Sequence, residues 1–168
     1  MLWSIFIASV LSTGNNQPSV YDSSSLPFSS DLKPDNILLD SAGHVHITDF
    51  NVAIHYSERR LHTSVAGSMA YMAPQVVGKR GYSWQIDWWS LGITAYELIF
   101  HRRPFDGRTV EKMTQSIMKD PLRFPDDVAE RCSEAGMMAL KGVSHFFLPC
   151  LTTGLIIYSL LTVIQPRD

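Results

Sequence analysis

A mainly α-helical fold carrying one small β-hairpin is what the amino-acid sequence predicts, and three observations predict it. Ser83 to Phe100 (SWQIDWWSLGITAYELIF) is apolar on nearly every face, the pattern of a helix buried all round rather than of a surface amphipath. Ile37-Leu38-Leu39-Asp40 and His44-Val45-His46-Ile47-Thr48 flank a Ser-Ala-Gly turn, with Val45 and Ile47 alternating, which is the signature of a hairpin. Thr109 can cap a helix presenting Val110, Met113 and Ile117, and Asp126 can begin another with Val128, Cys132 and Leu140 inward.

The 168 residues allow one domain or part of a larger one. With 14 Lys plus Arg against 16 Asp plus Glu, there is no basic stripe for a phosphate backbone, so nucleic acid is excluded as the expected partner. Hydrophobic residues at 45% and charged residues at 18% supply enough apolar material for a core. Two cysteines, Cys132 and Cys150, are too few for a disulfide framework and lack metal-ligand spacing; a reducing compartment or simple burial explains both, and the expected location is cytoplasmic.

Three unlike pieces follow one another. Residues 1–30 comprise an apolar run, Met1 to Leu11, and a linker-like stretch rich in Ser, Asn and Pro. The run has the length of a signal-peptide core, but no Lys or Arg precedes it, which argues against secretion. Residues 31–141 carry nearly all the charge and the patterning of a folded unit. Residues 142–168 form an apolar tail in which Phe146 to Ile164 is long enough, as a helix, to cross about 30 Å of hydrocarbon. A membrane anchor and a buried core helix both fit that run.

The chemistry lies at the start of the middle piece. Asp31-Leu32-Lys33-Pro34-Asp35-Asn36 has a spacing at which one loop can aim a carboxylate at a hydroxyl proton and a carboxamide oxygen at a metal ion. Closure of the hairpin returns the chain to Asp49-Phe50-Asn51 and brings Asp49 near Asn36. That pair offers hard oxygen ligands of the kind that suit Mg2+ bridging phosphates.

Four motifs then occur in order: Asp31 to Asn36, Asp49-Phe50-Asn51, Ala73-Pro74-Gln75 and Asp87-Trp88-Trp89-Ser90-Leu91-Gly92. Together they resemble the catalytic loop, the DFG and APE positions and the D-x-W-S-x-G helix in the C-terminal lobe of eukaryotic protein kinases. Lys33-Pro34-Asp35-Asn36 resembles the serine/threonine type, and GHVHITDFN, AGSMAYMAP and DWWSLGITAYEL are similar to the YANK branch near the AGC kinases. The likeness covers residues 31–141, about two-thirds of the chain.

The resemblance implies ATP and Mg2+ as cofactors and a protein with Ser or Thr hydroxyls as substrate. It implies Asp31 as catalytic base, Lys33 as the charge that steadies the transferring phosphoryl group, and Asn36 and Asp49 as magnesium ligands. Asn51 stands at the third DFG position, where a freely bending backbone is expected, and Asn tolerates left-handed angles best among non-glycine residues. The segment from Arg59 to Ala73 corresponds to the activation segment, with Ser64 where AGC kinases are phosphorylated and Ser68 where a hydroxyl steadies the catalytic Asp and Lys. Ser29-Ser30 stand before Asp31 in place of the usual Arg, so phosphate on Ser64 lacks its expected cation. Asp87 is implied as a structural residue bonded to the catalytic-loop backbone, and the helix dipole favours it there.

No glycine-rich phosphate loop, strand Lys or helix Glu precedes Asp31, so the expectation is a partial kinase fold, C-terminal lobe without N-terminal lobe. Gln75 also replaces the APE glutamate. The expected function is that of a serine/threonine kinase fragment transferring the γ-phosphate of ATP to protein hydroxyls. The alternatives are a catalytically silent, pseudokinase-like binding module and a truncated splice product.

Overall fold

The computed structural model describes residues 27–28, 31–41, 45–51, 53–55, 62–82 and 85–144. The apolar runs Met1 to Leu11 and Phe146 to Ile164, with Cys150, lie outside the described residues, among which no helix is long and apolar enough to cross a membrane.

Among the described residues four short strands form two separate antiparallel pairs, and most of the remaining described backbone is helical. The expected hairpin is present: β2 (Ile37–Leu39) pairs with β3 (Val45–Ile47), with Ile37 opposite Ile47 and Leu39 opposite Val45. Its alternation has the usual two-faced outcome. Ile47 is buried beside Leu32, with Ile37, Trp88 and Leu91 packed against them, while Leu38 on the other face is exposed. A second pair joins β1 (Pro27–Phe28) to β4 (Ile54–His55). The linker assigned to residues 1–30 therefore gives up its last apolar dipeptide to a strand, where Pro27 is tolerated at the strand's first residue.

Five helices follow: α1 (Pro74–Val77), α2 (Gln85–Phe100), α3 (Val110–Lys119), α4 (Val128–Arg131) and α5 (Glu134–Ser144). The apolar run singled out in the sequence becomes α2, which buries Ile86, Trp89, Ile93, Ala95, Tyr96 and Phe100 on different sides and leaves Leu98 exposed. One cluster packs Ile86, Trp89 and Ile93 with Tyr71, Met72, Val76, Tyr82, Phe105 and Ile117. Trp89 stacks on Phe105 with centroids 5.6 Å apart. A second cluster sets Ala95, Tyr96 and Phe100 against Cys132, Ala139 and Leu140, where alanines on both helices let α2 and α5 approach. Inside this packing the Ser90 hydroxyl donates to the carbonyls of Tyr71 (2.8 Å) and Ile86 (3.2 Å).

Thr109 caps α3 as expected, its hydroxyl accepting from the Lys112 amide at 3.3 Å. Ile117 is buried and Met113 packs on the first cluster, but Val110, expected inward, is 65% exposed because the first turn of α3 reaches past the core. The single helix expected from Asp126 is two. Cys132 is extended (φ −141°, ψ 134°), and α5 restarts where the Ser133 hydroxyl accepts from the Gly136 amide at 3.2 Å. Such a hydroxyl competes with helix continuation and favours a new N-terminus. Gly107 allows the approach to α3, since a Cβ there would meet the Met113 amide nitrogen at 2.3 Å.

Thr94, 1% exposed, buries a hydroxyl that has no hydrogen-bond partner among the described residues. A buried hydroxyl in that condition opposes folding by about 1 kcal/mol or more. Thr94→Val, which keeps the shape, is therefore expected to raise stability by about 1 kcal/mol, read as a higher urea midpoint at unchanged slope.

Candidate active site

Asp31 and Leu32 enter the site from an extended segment, and Leu32, 1% exposed, anchors it to the cluster around Ile47. Pro34, with its preset φ, opens a single 3-10 turn at Pro34–Asn36 that ends as β2 begins. The turn points Asn36 back at Asp31: its amide nitrogen donates to the Asp31 carbonyl at 3.0 Å and lies 3.4 Å from Oδ2. That orientation leaves Oδ1 as the side chain's acceptor for a ligand.

Asp31, Lys33 and Ser68 form a closed triangle. Lys33 Nζ lies 3.0 Å from Asp31 Oδ2 and donates to the Ser68 hydroxyl at 2.8 Å, while the Ser68 amide donates to Asp31 Oδ1 at 2.7 Å. Gly67 makes the last contact feasible with φ 103°, an angle that side chains other than hydrogen rarely adopt. Burial is the largest single influence on Asp31 and pushes its carboxyl up. The Ser68 amide, the Lys33 ammonium and the Ser68 hydroxyl together outweigh it, so the group stays below its ordinary 3.8. Lys33 is held above its ordinary 10.5, chiefly by the hydrogen bond to Asp31; burial opposes this, and the charges of Asp31, Asp35 and Asp49 add to it.

Asp49 reaches the same neighbourhood through the hairpin, where the Thr48 amide donates to the Asn36 carbonyl at 2.8 Å. The left-handed residue of the Asp49-Phe50-Asn51 turn is Asp49 (φ 58°), and not Asn51 as the sequence suggested. Asn51 contributes its amide, 3.4 Å from Asp49 Oδ1. Asp and Asn both tolerate that angle, and the Asp49 carboxylate is exposed, its charge adding to the field on Lys33. Among the described residues no group of three His, Cys, Asp or Glu could hold a metal ion. An Asn oxygen with a carboxylate is nevertheless a donor set that suits a hard cation whose remaining ligands are water and phosphate.

Of the other residues singled out, Asp87 is wholly buried in the first turn of α2, and Ser64 is exposed with its hydroxyl 3.1 Å from that of Tyr82. The sequence reading missed a partly buried hydrogen-bonded pair, Tyr71 and Glu97. The Tyr71 hydroxyl donates to Glu97 Oε2 at 2.6 Å, and burial, then this bond, pushes its pKa up to about 12. A carboxylate near the end of the otherwise apolar α2 run was the available signal. Tyr82, described below, gave no signal beyond an aromatic in a loop.

The sequence matches the protein kinase domain family over residues 28–145. It is similar to human serine/threonine-protein kinase 32C, 46% identical over 93 residues that span 51% of this chain and 19% of the relative. Human serine/threonine-protein kinase 32B is 53% identical over 85 residues, 48% of this chain and 20% of the relative. Serine/threonine-protein kinase gad8 of Schizosaccharomyces pombe is 37% identical over 105 residues, 62% of this chain and 18% of the relative. The chain thus spans about a fifth of the length of these relatives.

Because its pKa is depressed on folding, Asp31 contributes stability that is fully present above about pH 4 and is lost as pH falls through the lowered value. The stability gap between the parent chain and Asp31→Asn should be constant from about pH 7 to about pH 5 and shrink by about pH 3. Urea midpoints at the three values check this; a gap that does not shrink would mean that Asp31 is not held ionised.

Proposed function

The chain belongs to the protein kinase family, and from that premise we propose that it carries the substrate-facing, C-terminal lobe of that fold and transfers the γ-phosphoryl group of ATP to Ser or Thr hydroxyls of a protein. The observation that carries this reading is the Asp31–Lys33–Ser68 triangle, which combines an ionised carboxylate, a cation and a fixing hydroxyl within 2.7 to 3.0 Å contacts. Asp31 acts as the base: its carboxylate accepts the proton of the acceptor hydroxyl as that oxygen bonds to the γ-phosphorus and the bond to ADP breaks. Its lowered pKa keeps it unprotonated at neutral pH, and the Ser68 amide fixes the direction of its oxygens.

Lys33 supplies a permanent positive charge at the site, where the phosphoryl oxygens carry negative charge during transfer. Asn36 Oδ1 and the Asp49 carboxylate are the groups that would hold magnesium, and a bound magnesium ion neutralises phosphate charge and orients the nucleotide. We assign Asp87 a structural role, in keeping with its complete burial in the first turn of α2.

The test is phosphate transfer from labelled ATP to a Ser-containing protein by the full chain, with folding checked by circular dichroism. Asp31→Asn is expected to reduce transfer about 100-fold or more, the usual weight of a general base. Equal background from both folded proteins would overturn the catalytic reading in favour of a silent binding module.

A further inference from the structure

Four hydrogen bonds join the start of the activation segment to one core residue. The backbones of His62 and Tyr82 exchange two, at 2.9 and 3.0 Å. The Tyr82 hydroxyl donates to the Ser64 carbonyl at 2.6 Å, so its oxygen is the acceptor for the Ser64 hydroxyl 3.1 Å away. The Tyr82 ring is 4% exposed and belongs to the cluster built on Ile86, Trp89 and Ile93. A loop whose own residues Thr63, Ser64 and Val65 are exposed is thereby tied to a buried apolar cluster.

The second tie is at Ser68, where Asp31 and Lys33 both bond it. Only Val65, Ala66 and Gly67 lie between the two ties, so a displacement at Ser64 reaches Ser68 through three residues alone. We infer that Tyr82 is a positioning residue: its hydroxyl tethers the segment at Ser64 and so sets Ser68 against Asp31 and Lys33, with no phosphate on Ser64 required. The kinetic side of this inference rests on the phosphotransfer reading; the structural side does not.

Tyr82→Phe removes the hydroxyl and keeps the ring, and hydrogen exchange of the full chain reads the result. Amides of residues 64–68, that of Ser68 among them, are expected to exchange about five- to tenfold faster in Tyr82→Phe, with α2 unchanged. Phosphate transfer should show a lower kcat at unchanged KM for ATP. In the parent chain the Tyr82 hydroxyl proton should be protected and close to Ser64 by proton NMR, a measurement that holds even if Tyr82→Phe does not fold. Unchanged exchange at Ser68, or an unprotected hydroxyl, overturns the tether whatever the activity. A parent chain that transfers no phosphate but shows the protected hydroxyl and the loosened loop would count against the catalytic reading alone.

Discussion

A helix with almost no solvent face, α2, is the constraint on which the other elements depend. Its residues appear in all three apolar clusters: Trp88 and Leu91 beside the hairpin, Ile86, Trp89 and Ile93 beneath the activation segment, and Ala95, Tyr96 and Phe100 against α5. Each large apolar side chain removed from water there stabilises by roughly 1.5–3 kcal/mol, a large share of a typical domain's net stability. Shifting α2 would disturb all three clusters at once, so the elements around it share one frame of reference. The Asp31–Asn36 loop uses that frame through Leu32, and the segment carrying Ser68 through Tyr71, whose hydroxyl meets Glu97 and whose carbonyl meets Ser90.

Within that frame the site resolves a conflict between burial and charge. Asp31 is 8% exposed, and desolvation alone would favour its neutral form. Three groups from two distant stretches of sequence reverse the outcome, and the decisive donor is a backbone amide placed by a left-handed glycine. Asp49 meets a different condition. It stays exposed on a left-handed backbone, with the Asn51 amide 3.4 Å from Oδ1.

How much of this was legible in the sequence depended on whether the signal was local. The hairpin, the all-round apolar run of α2 and the Thr109 cap each rest on a few neighbouring residues, and all three are present in the structure. Ser68 was named beside Asp31 and Lys33 through resemblance, and the structure gives it a hydrogen bond to each. The failures share a cause. Val110 fits the helix period but overhangs the core, the α4–α5 break turns on a serine competing for a backbone amide, and the short β1–β4 pair joins residues far apart with almost no pattern of its own. Tyr82 and Tyr71 were missed because their significance lies in hydroxyl partners, Ser64 and Glu97, that no spacing rule connects to them. The left-handed angle passed from Asn51 to Asp49 because both residue types accept it and only the path of the chain decides.

The raised pKa of Lys33 bears on what kind of reagent this side chain is. An amine becomes a nucleophile or a Schiff-base partner only in its unprotonated form, and three neighbouring carboxylates make that form scarcer than for an ordinary surface lysine. Covalent chemistry at Lys33, acylation included, therefore runs against the electrostatics that hold it. The ammonium acts as a fixed countercharge, closer in character to a bound cation than to a reactive base, and replacing its charge by a neutral acyl amide would leave Asp31 without its nearest positive neighbour.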